Sequence, residues 1–549
     1  MNRITWTIMF FLLILGPLQA QDDELAPVTG TVAVTNVNIV PSPGKLIEKG
    51  TVLIKDGIIT GVGANVNVPL GARIIKADSM YLYSGFILGM SNVGIKMPEQ
   101  KDRPNVKDPG NPPNDLAGIT PERSINEYLD PSHKSITDWR ASGFTVAQTA
   151  PSGGMLPGTA AVILLKGNSP GDLVLKSGTA LYATFDGARR MYPSNILGVM
   201  AEHRDLYRKA EQSKNLRQAY LTDPAARARP KYSQTLEAYD PVIEKRIPVV
   251  FQTKEMLPAQ RAMSLQKDLG FNLVLTELKE GWDLTNEIKN TNTRVLFSLD
   301  MPEWKEKKKD TVKEEKQSAE KQRLESRREE ATKKHYEQLG KFAAAGIPFG
   351  FSGIEGKPAD VQKTLQKFVE NGLAQDAALA ALTTTPASML GISKMTGTVE
   401  NGKMANLVIS SKPYFEKDAK VRYVMIEGVL YEYEEKKTKK ADPATVAKAT
   451  GNWSYRADTP DGPITGTLLM EENGGVLSGT ITNSLTGLES TLRDVVLSED
   501  NLSFNFDVNI QGQTMKVLAV LTLSEDSFEG TFSGGGEAFT VKGTKSPNR

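Results

Sequence analysis

Between residues 31 and 83 the chain alternates apolar and polar positions in short runs, Thr31 to Val40, Thr51-Val52-Leu53-Ile54-Lys55 and Ile58-Ile59-Thr60-Gly61-Val62. A period of two turns one face of a strand to a core, so this stretch predicts β-structure. Asp56-Gly57 separates two of the runs, and a two-residue turn of that composition predicts a hairpin with positive φ at both positions. Residues 73 to 83 read as a further strand pair. Beyond residue 85 the runs become short and apolar and are followed by helical stretches. Phe144 to Ala147, Ala161 to Leu165, Pro248 to Phe251, Leu273 to Leu275, Arg294 to Ser298 and Ile347 to Phe351 predict buried strands. Val361, Leu365, Phe368 and Val369 mark one helix face, with Asn371-Gly372 as its stop.

Such alternation predicts an α/β domain with a parallel sheet closed or covered by helices. The number of repeats favours a (β/α)8 barrel over a doubly wound sheet, although periodicity leaves both open. Residues 303–339 form a charge-dense block of Lys, Glu, Gln and Arg, which predicts a solvated helix extending from the barrel. A polar linker covers 434–448. From Gly451 to Lys545 the chain is rich in Gly, Thr and Ser, with short strands and recurrent turns, which predicts a small antiparallel barrel or sandwich at 449–549.

The full chain has 549 residues, more than one core serves, so several domains are expected. A net charge of +1 and the lack of nucleic-acid motifs exclude a broad polyanion-binding surface. Arg3, the apolar run Ile4 to Leu15, and Leu18-Gln19-Ala20 read as a signal peptide over residues 1–20, cleaved after Ala20. The run is shorter than the roughly 20 residues of a spanning helix. The product is therefore expected outside the cytoplasm, periplasmic or secreted, without a membrane span after cleavage. Cysteine is absent, which excludes disulfides, thiolate catalysis and lipoprotein acylation.

Several blocks in order resemble the amidohydrolase superfamily, and its imidazolonepropionase-like branch in particular. Gly50 to Gly63 matches the opening hairpin, Leu382 to Gly391 the last barrel helices, Gly397 to Val408 the return to the β-domain, and Val421 to Gly428 the closing strand. The resemblance implies a (β/α)8 barrel over 85–394, flanked by a β-sandwich assembled from 21–84 and 395–433. It also implies hydrolysis of C–N and related bonds by one or two divalent metals at the barrel mouth. The metal lowers the pKa of bound water from about 15.7 to about 7, so its ligands are the mechanism.

Those ligands are replaced. The family pattern Gly-Phe-Ile-Asp-X-His-X-His is matched by Gly85-Phe86-Ile87-Leu88-Gly89-Met90-Ser91-Asn92, which leaves Met90 and Asn92 at the two histidine places. A thioether and a neutral amide do not replace imidazole on zinc. Gln252 stands at the strand-five ligand place, the strand-six segment around Leu275-Thr276-Glu277 has no His, and Gly353 stands at the strand-eight Asp place. No change of register rescues these positions. The chain has three histidines, none before His133 and none between His203 and His335, and no aspartate lies between Asp310 and Asp360.

No metal or other cofactor is therefore expected. The first reading is a degenerate, metal-free member of the superfamily that binds a small molecule at the barrel mouth or partners an active relative. An alternative site would be built from carboxylates predicted near strand ends, Glu277, Glu280, Asp300 and Glu355, which otherwise line a polar mouth or cap helices. His133 is expected in an exposed turn, His203 on a helix face and His335 in the charged arm. The glycine-rich stretch Pro151 to Gly158 lacks the Lys-Ser/Thr of a phosphate loop and predicts close backbone approach instead. Trp453 and Tyr455 could stack on a ligand of the C-terminal domain, or lie in its core.

Overall fold

A computed structural model describes residues 30–97, 106–167, 169–302, 319–433 and 443–546, apart from positions 460–461, 474–475, 485–486, 488, 499, 511–512 and 535–536. The expected signal peptide, the first half of the charged block and most of the polar linker lie outside these residues. The chain divides into two units, Met1–Tyr433 and Glu434–Arg549.

In the first unit the amino-terminal strands are β1 (Thr31–Val40), β2 (Ile47–Lys55), β3 (Ile58–Gly63), β4 (Arg73–Lys76) and β5 (Tyr81–Ser84). The next eight are β6 (Phe86–Ser91), β7 (Phe144–Thr149), β8 (Gly158–Leu164), β9 (Val174–Ala183), β10 (Val249–Gln252), β11 (Leu273–Leu278), β12 (Arg294–Ser298) and β13 (Phe349–Ser352). The last three are β14 (Leu407–Ser410), β15 (Val421–Ile426) and β16 (Val429–Glu432).

Both chain ends build one β-domain, as the resemblance implies. Its strands run β16-β15-β14-β5-β1-β2-β3 with β4 also on β1, so they form a single eight-stranded sheet rather than two separate ones. The turn at Asp56-Gly57 has φ of 50° and 77°, as its composition predicts. A Cβ on Gly57 would come within 2.6 Å of the Glu427 carbonyl, so this turn packs backbone to backbone on the β15–β16 turn. Residues 73 to 83 depart from expectation. β4 and β5 do not pair with each other but lie in succession, both parallel, along β1.

The strands β6 to β13 close into a ring of eight in the order β10-β11-β12-β13-β6-β7-β8-β9. The ring is not uniformly parallel: β8 runs antiparallel to both β7 and β9. The short glycine-rich passage before β8 is enough to reverse the chain, whereas a parallel return needs a longer crossover. Helices cover the outside. The predicted helix appears as Val361–Glu370, capped at Asn371, with Gly372 at a φ of 101°.

The charged block departs further from expectation. It continues as one helix, Ala319–Ala344, but Tyr336, Leu339 and Phe342 are buried in the main core together with His335 and Gln338. Its second half is thus the covering helix between β12 and β13. Spacing of three residues between these apolar positions gives them one face, which the surrounding charge obscures in sequence.

The second unit is an antiparallel meander of nine strands, from Gly451–Thr459 to Glu537–Lys545. Its first strand pairs with its last, and the two ends of the sheet, Glu489–Thr491 and Arg493–Ser498, are joined through Leu492, which gives a barrel-like course. The end of the predicted linker is a helix, Pro443–Ala449, whose Ala449 carbonyl accepts a hydrogen bond from Trp453 Nε1 at 3.0 Å. Trp453 and Tyr455 are buried in this unit's own core, which overturns a ligand-stacking role for them.

Candidate functional site

Side chains two residues apart on a strand share a face, so the ring interior is layered. The lower layer is apolar: Ala160, Ala180, Val250, Val274 and Leu296 pack with Met90 and Ala150. One step nearer the ends of the parallel strands, the same faces carry Tyr182, Gln252, Thr276 and Ser298. Ser352 joins them from β13, its hydroxyl donating to the Met90 carbonyl at 3.2 Å. The mouth therefore has a floor of hydroxyls and one amide. Tyr182 donates its phenol hydrogen to Gln252 Oε1 at 3.0 Å, and burial, with the charges of Glu277, Asp186 and Glu355 adding, holds that phenol far above the ordinary range. The Thr276 hydroxyl is buried without a hydrogen-bond partner among the described residues.

Glu277 enters this floor through an irregularity. The register between β11 and β12 shifts at Thr276/Leu278, so Glu277 is an extra residue in the strand, and its φ is 61°. Positive φ is costly for a side chain of this kind, and a bulge re-aims the residue that carries it. The side chain is fully buried. Oε2 accepts from Ser298 Oγ at 2.7 Å and Oε1 from the Ile354 amide at 3.0 Å. Burial pushes the carboxyl pKa up and the charge of Glu355 adds to this, while the hydroxyls of Ser352 and Ser298 and the Lys279 ammonium oppose it.

Above the floor, four successive strand ends carry charges joined to one another. Lys279 Nζ lies 2.5 Å from Asp300 and 3.1 Å from Glu355, and Lys254 pairs with the other oxygen of Glu355. Burial opposes the charge on Glu355, but hydrogen bonds from Lys254 and Lys279 outweigh it and hold the carboxyl below its usual range. Burial likewise opposes the charge on Lys279, and Asp300 and Glu355 outweigh it and raise its pKa. Lys279 is also fixed through its backbone. Its amide donates to the Lys254 carbonyl at 2.8 Å, and its own carbonyl accepts from His335 Nδ1 at 2.8 Å and Gln338 Nε2 at 2.7 Å.

The structure thus brings Glu277, Asp300 and Glu355 together. The Glu280 amide contacts the Lys254 carbonyl, but its carboxylate has no part in the network described. The lysines were not singled out from the sequence, although a signal exists. Lys254, Lys279, Asp300 and Glu355 each stand two residues beyond Gln252, Glu277, Ser298 and Gly353, the positions where a strand reaches the mouth.

The four positions at which the resemblance implies ligands do not make a metal site. Met90 is fully buried in the apolar layer. Asn92 is exposed and donates to the Ile354 carbonyl at 3.3 Å. Gln252 Oε1 is taken by Tyr182. A Cβ at Gly353 would lie 2.7 Å from the Trp139 ring, so a side chain there would meet the indole. Among the described residues no group of three or more His, Cys, Asp or Glu side chains is placed to hold a metal ion. The donors at these positions do not fit the divalent metal that the resemblance implies.

His133 and His203 serve elsewhere, and His335 meets the network only through the Lys279 carbonyl. His133 is half-buried rather than exposed, and its Nδ1 caps the helix Lys134–Ala141 by accepting from the Ser135 amide. His203 lies on the buried face of the helix Ile196–Thr222, its ring 5.2 Å from that of Phe251. His335 is buried against Trp282, with its ring 5.1 Å away, and not on a free arm. In the glycine-rich stretch, a Cβ on Gly154 would fall 2.3 Å from Gly118 Cα, the close backbone approach expected of it.

The model of the amidohydrolase family matches residues 326–431. An amidohydrolase from Thermotoga maritima MSB8 superposes with a TM-score of 0.58 at 19% identity, over 73% of this chain and 100% of its own. A Xaa-Pro dipeptidase with bound methionine in its active site aligns at 14% identity over 74% of this chain and 100% of its own, with a TM-score of 0.43. A putative prolidase from Bifidobacterium longum aligns at 12% identity over 74% and 97%, with a TM-score of 0.42. No curated protein matches the sequence. The fold of this chain is that of the Thermotoga protein, and the family match is confined to residues 326–431.

Proposed function

We propose that this chain is an exported protein of the imidazolonepropionase-like amidohydrolase branch, with a degenerate (β/α)8 barrel, that works without a metal or other cofactor. It binds a small molecule at the mouth, either alone or as the non-catalytic partner of an active relative. The observation that carries this reading is the ion-pair network of Lys254, Lys279, Asp300 and Glu355 across the ends of β10 to β13. Fixed ammonium groups neutralise the carboxylates there, and a Lewis acid is left no donor set.

The test is purified full-length protein dialysed against zinc, manganese and nickel, then analysed for bound metal and assayed on N-acyl and cyclic amide substrates. Sub-stoichiometric metal and no hydrolysis are expected. One equivalent of tightly held transition metal overturns the reading.

A second reading is favoured by the bulge at Glu277. Strained residues gather where function holds them, and a buried carboxyl with a raised pKa suits general acid–base work. In that reading the chain hydrolyses C–N bonds with Glu277 as the proton-transferring group and Asp300 and Glu355 beside it. Turnover of some amide that falls on Glu277→Ala or Asp300→Ala, with the fold retained, would favour it. No turnover across a broad amide screen would dismiss it.

A further inference from the structure

Resting on the metal-free reading above, the geometry points to Lys279 as a built-in cation: its ammonium occupies the position between Asp300 and Glu355 where a divalent ion would otherwise be drawn. Three observations carry this. The ammonium contacts both carboxylates, at 2.5 Å and 3.1 Å, so it bridges them as an oxygen-liganded ion would. It is not a surface lysine that happens to swing inward, because its side chain is only 19% exposed and its backbone is tied on both sides, to Lys254 and to His335 and Gln338. The carboxylates also come from the ends of neighbouring strands β12 and β13, and the Asp300 backbone is held by its amide donating to Ser298 Oγ at 3.0 Å.

The network holds two ammonium groups and two carboxylates, and it closes in charge. A divalent ion added to it would stand beside Lys279 and be repelled. Removing only that charge leaves two oxygen-bearing side chains facing one gap, with Lys254 still paired to the far oxygen of Glu355. The protein as it stands therefore excludes hard divalent cations from its mouth by occupancy, and a single substitution converts the mouth into a weak cation site. His335 and Gln338 are positioning residues in this arrangement, since they act on the carbonyl of Lys279.

The experiment is isothermal titration of Mn2+ into the full chain and into Lys279→Ala and Lys279→Met, the second of which keeps side-chain bulk. Wild type is expected to give no saturable heat, and both variants one saturable site at least tenfold tighter than the weakest binding the titration resolves, lost again when Asp300→Asn is added. Cooperatively melting variants that gain no Mn2+ affinity overturn the inference and leave the metal-free reading intact. Saturable Mn2+ binding by wild type defeats both. Should the variants not fold, amine-directed labelling of Lys279, read by mass spectrometry, decides on folded protein. Lys279 should label at least tenfold more slowly than the exposed Lys134, and Asp300→Asn with Glu355→Gln should abolish the difference. Equal labelling in the unsubstituted chain overturns the proposal.

Discussion

Glu277 sits in a conformation that costs its backbone and in a place that costs its charge. Both costs are local and both are testable. Below the ordinary glutamate range the carboxyl is protonated folded or unfolded and contributes no difference. As pH rises through that range the unfolded chain ionises first, so the fold loses stability until the raised native pKa is passed. Glu277→Gln keeps the shape and removes the charge. Its amide oxygen accepts from the Ile354 amide and its NH2 donates to Ser298 Oγ, the two partners the carboxylate has. The variant is expected to melt with wild type at pH 4 and a few degrees above it at pH 8, by calorimetry. A variant less stable than wild type at pH 8 would show that the carboxylate is paid for by its partners. In sequence, Glu277 was recognisable only as a carboxylate near a strand end. The bulge that turns it inward depends on the register with β12, which a local pattern does not carry.

At the scale of the elements, the helix Ile196–Thr222 offers a pH probe of its own. His203 is buried against Phe251 with one long contact, Nε2 to the Thr184 carbonyl at 3.5 Å, and burial pushes its pKa down to about 4. A histidine kept neutral in the fold gives stability that is complete above its unfolded value of about 6.5 and is lost as pH falls toward 4, because the unfolded chain takes the proton first. The loss is about 1.4 kcal/mol per unit, on the order of 3 kcal/mol across the window. Urea titrations from pH 7 to pH 4 should show it, and His203→Leu should flatten that part of the profile. An unchanged slope in the variant would place the acid sensitivity elsewhere. Most elements were legible for the reason this helix is: strands such as Arg294–Ser298 are apolar runs, and Val361–Glu370 has a clean face. The direction of β8 was not, because a period of two is the same in either direction. The buried half of Ala319–Ala344 was hidden because charge density, not spacing, dominated its reading.

The whole molecule joins two units with separate cores. Residues 443–546 bury Trp453, Phe504, Phe528 and Phe532 in a cluster of their own, and every strand of that sheet finds its partners within it. A fragment from Glu434 onward is expected to express as a β-rich domain with a cooperative melting transition, followed by circular dichroism. A fragment that stays unfolded alone would show that its core needs the first unit. In the first unit the β-domain built from both chain ends was legible, from Gly50 to Gly63 and from Gly397 to Gly428, since hairpin turns and strand alternation are local. Met90, Asn92, Gln252 and Gly353 stand where the resemblance implies metal ligands, and a sequence shows which residues they are. The ion-pair network at the mouth was not legible, because the pairing of Lys254 and Lys279 with Asp300 and Glu355 is set by the closure of the ring. That network is the basis for proposing a mouth that binds without metal chemistry, and the most direct test of the proposal is the metal content of the native protein. After equilibration with zinc, manganese and nickel and removal of free ion, elemental analysis should find well under one equivalent of each per chain. One equivalent of any of them, retained through dialysis, would contradict the account.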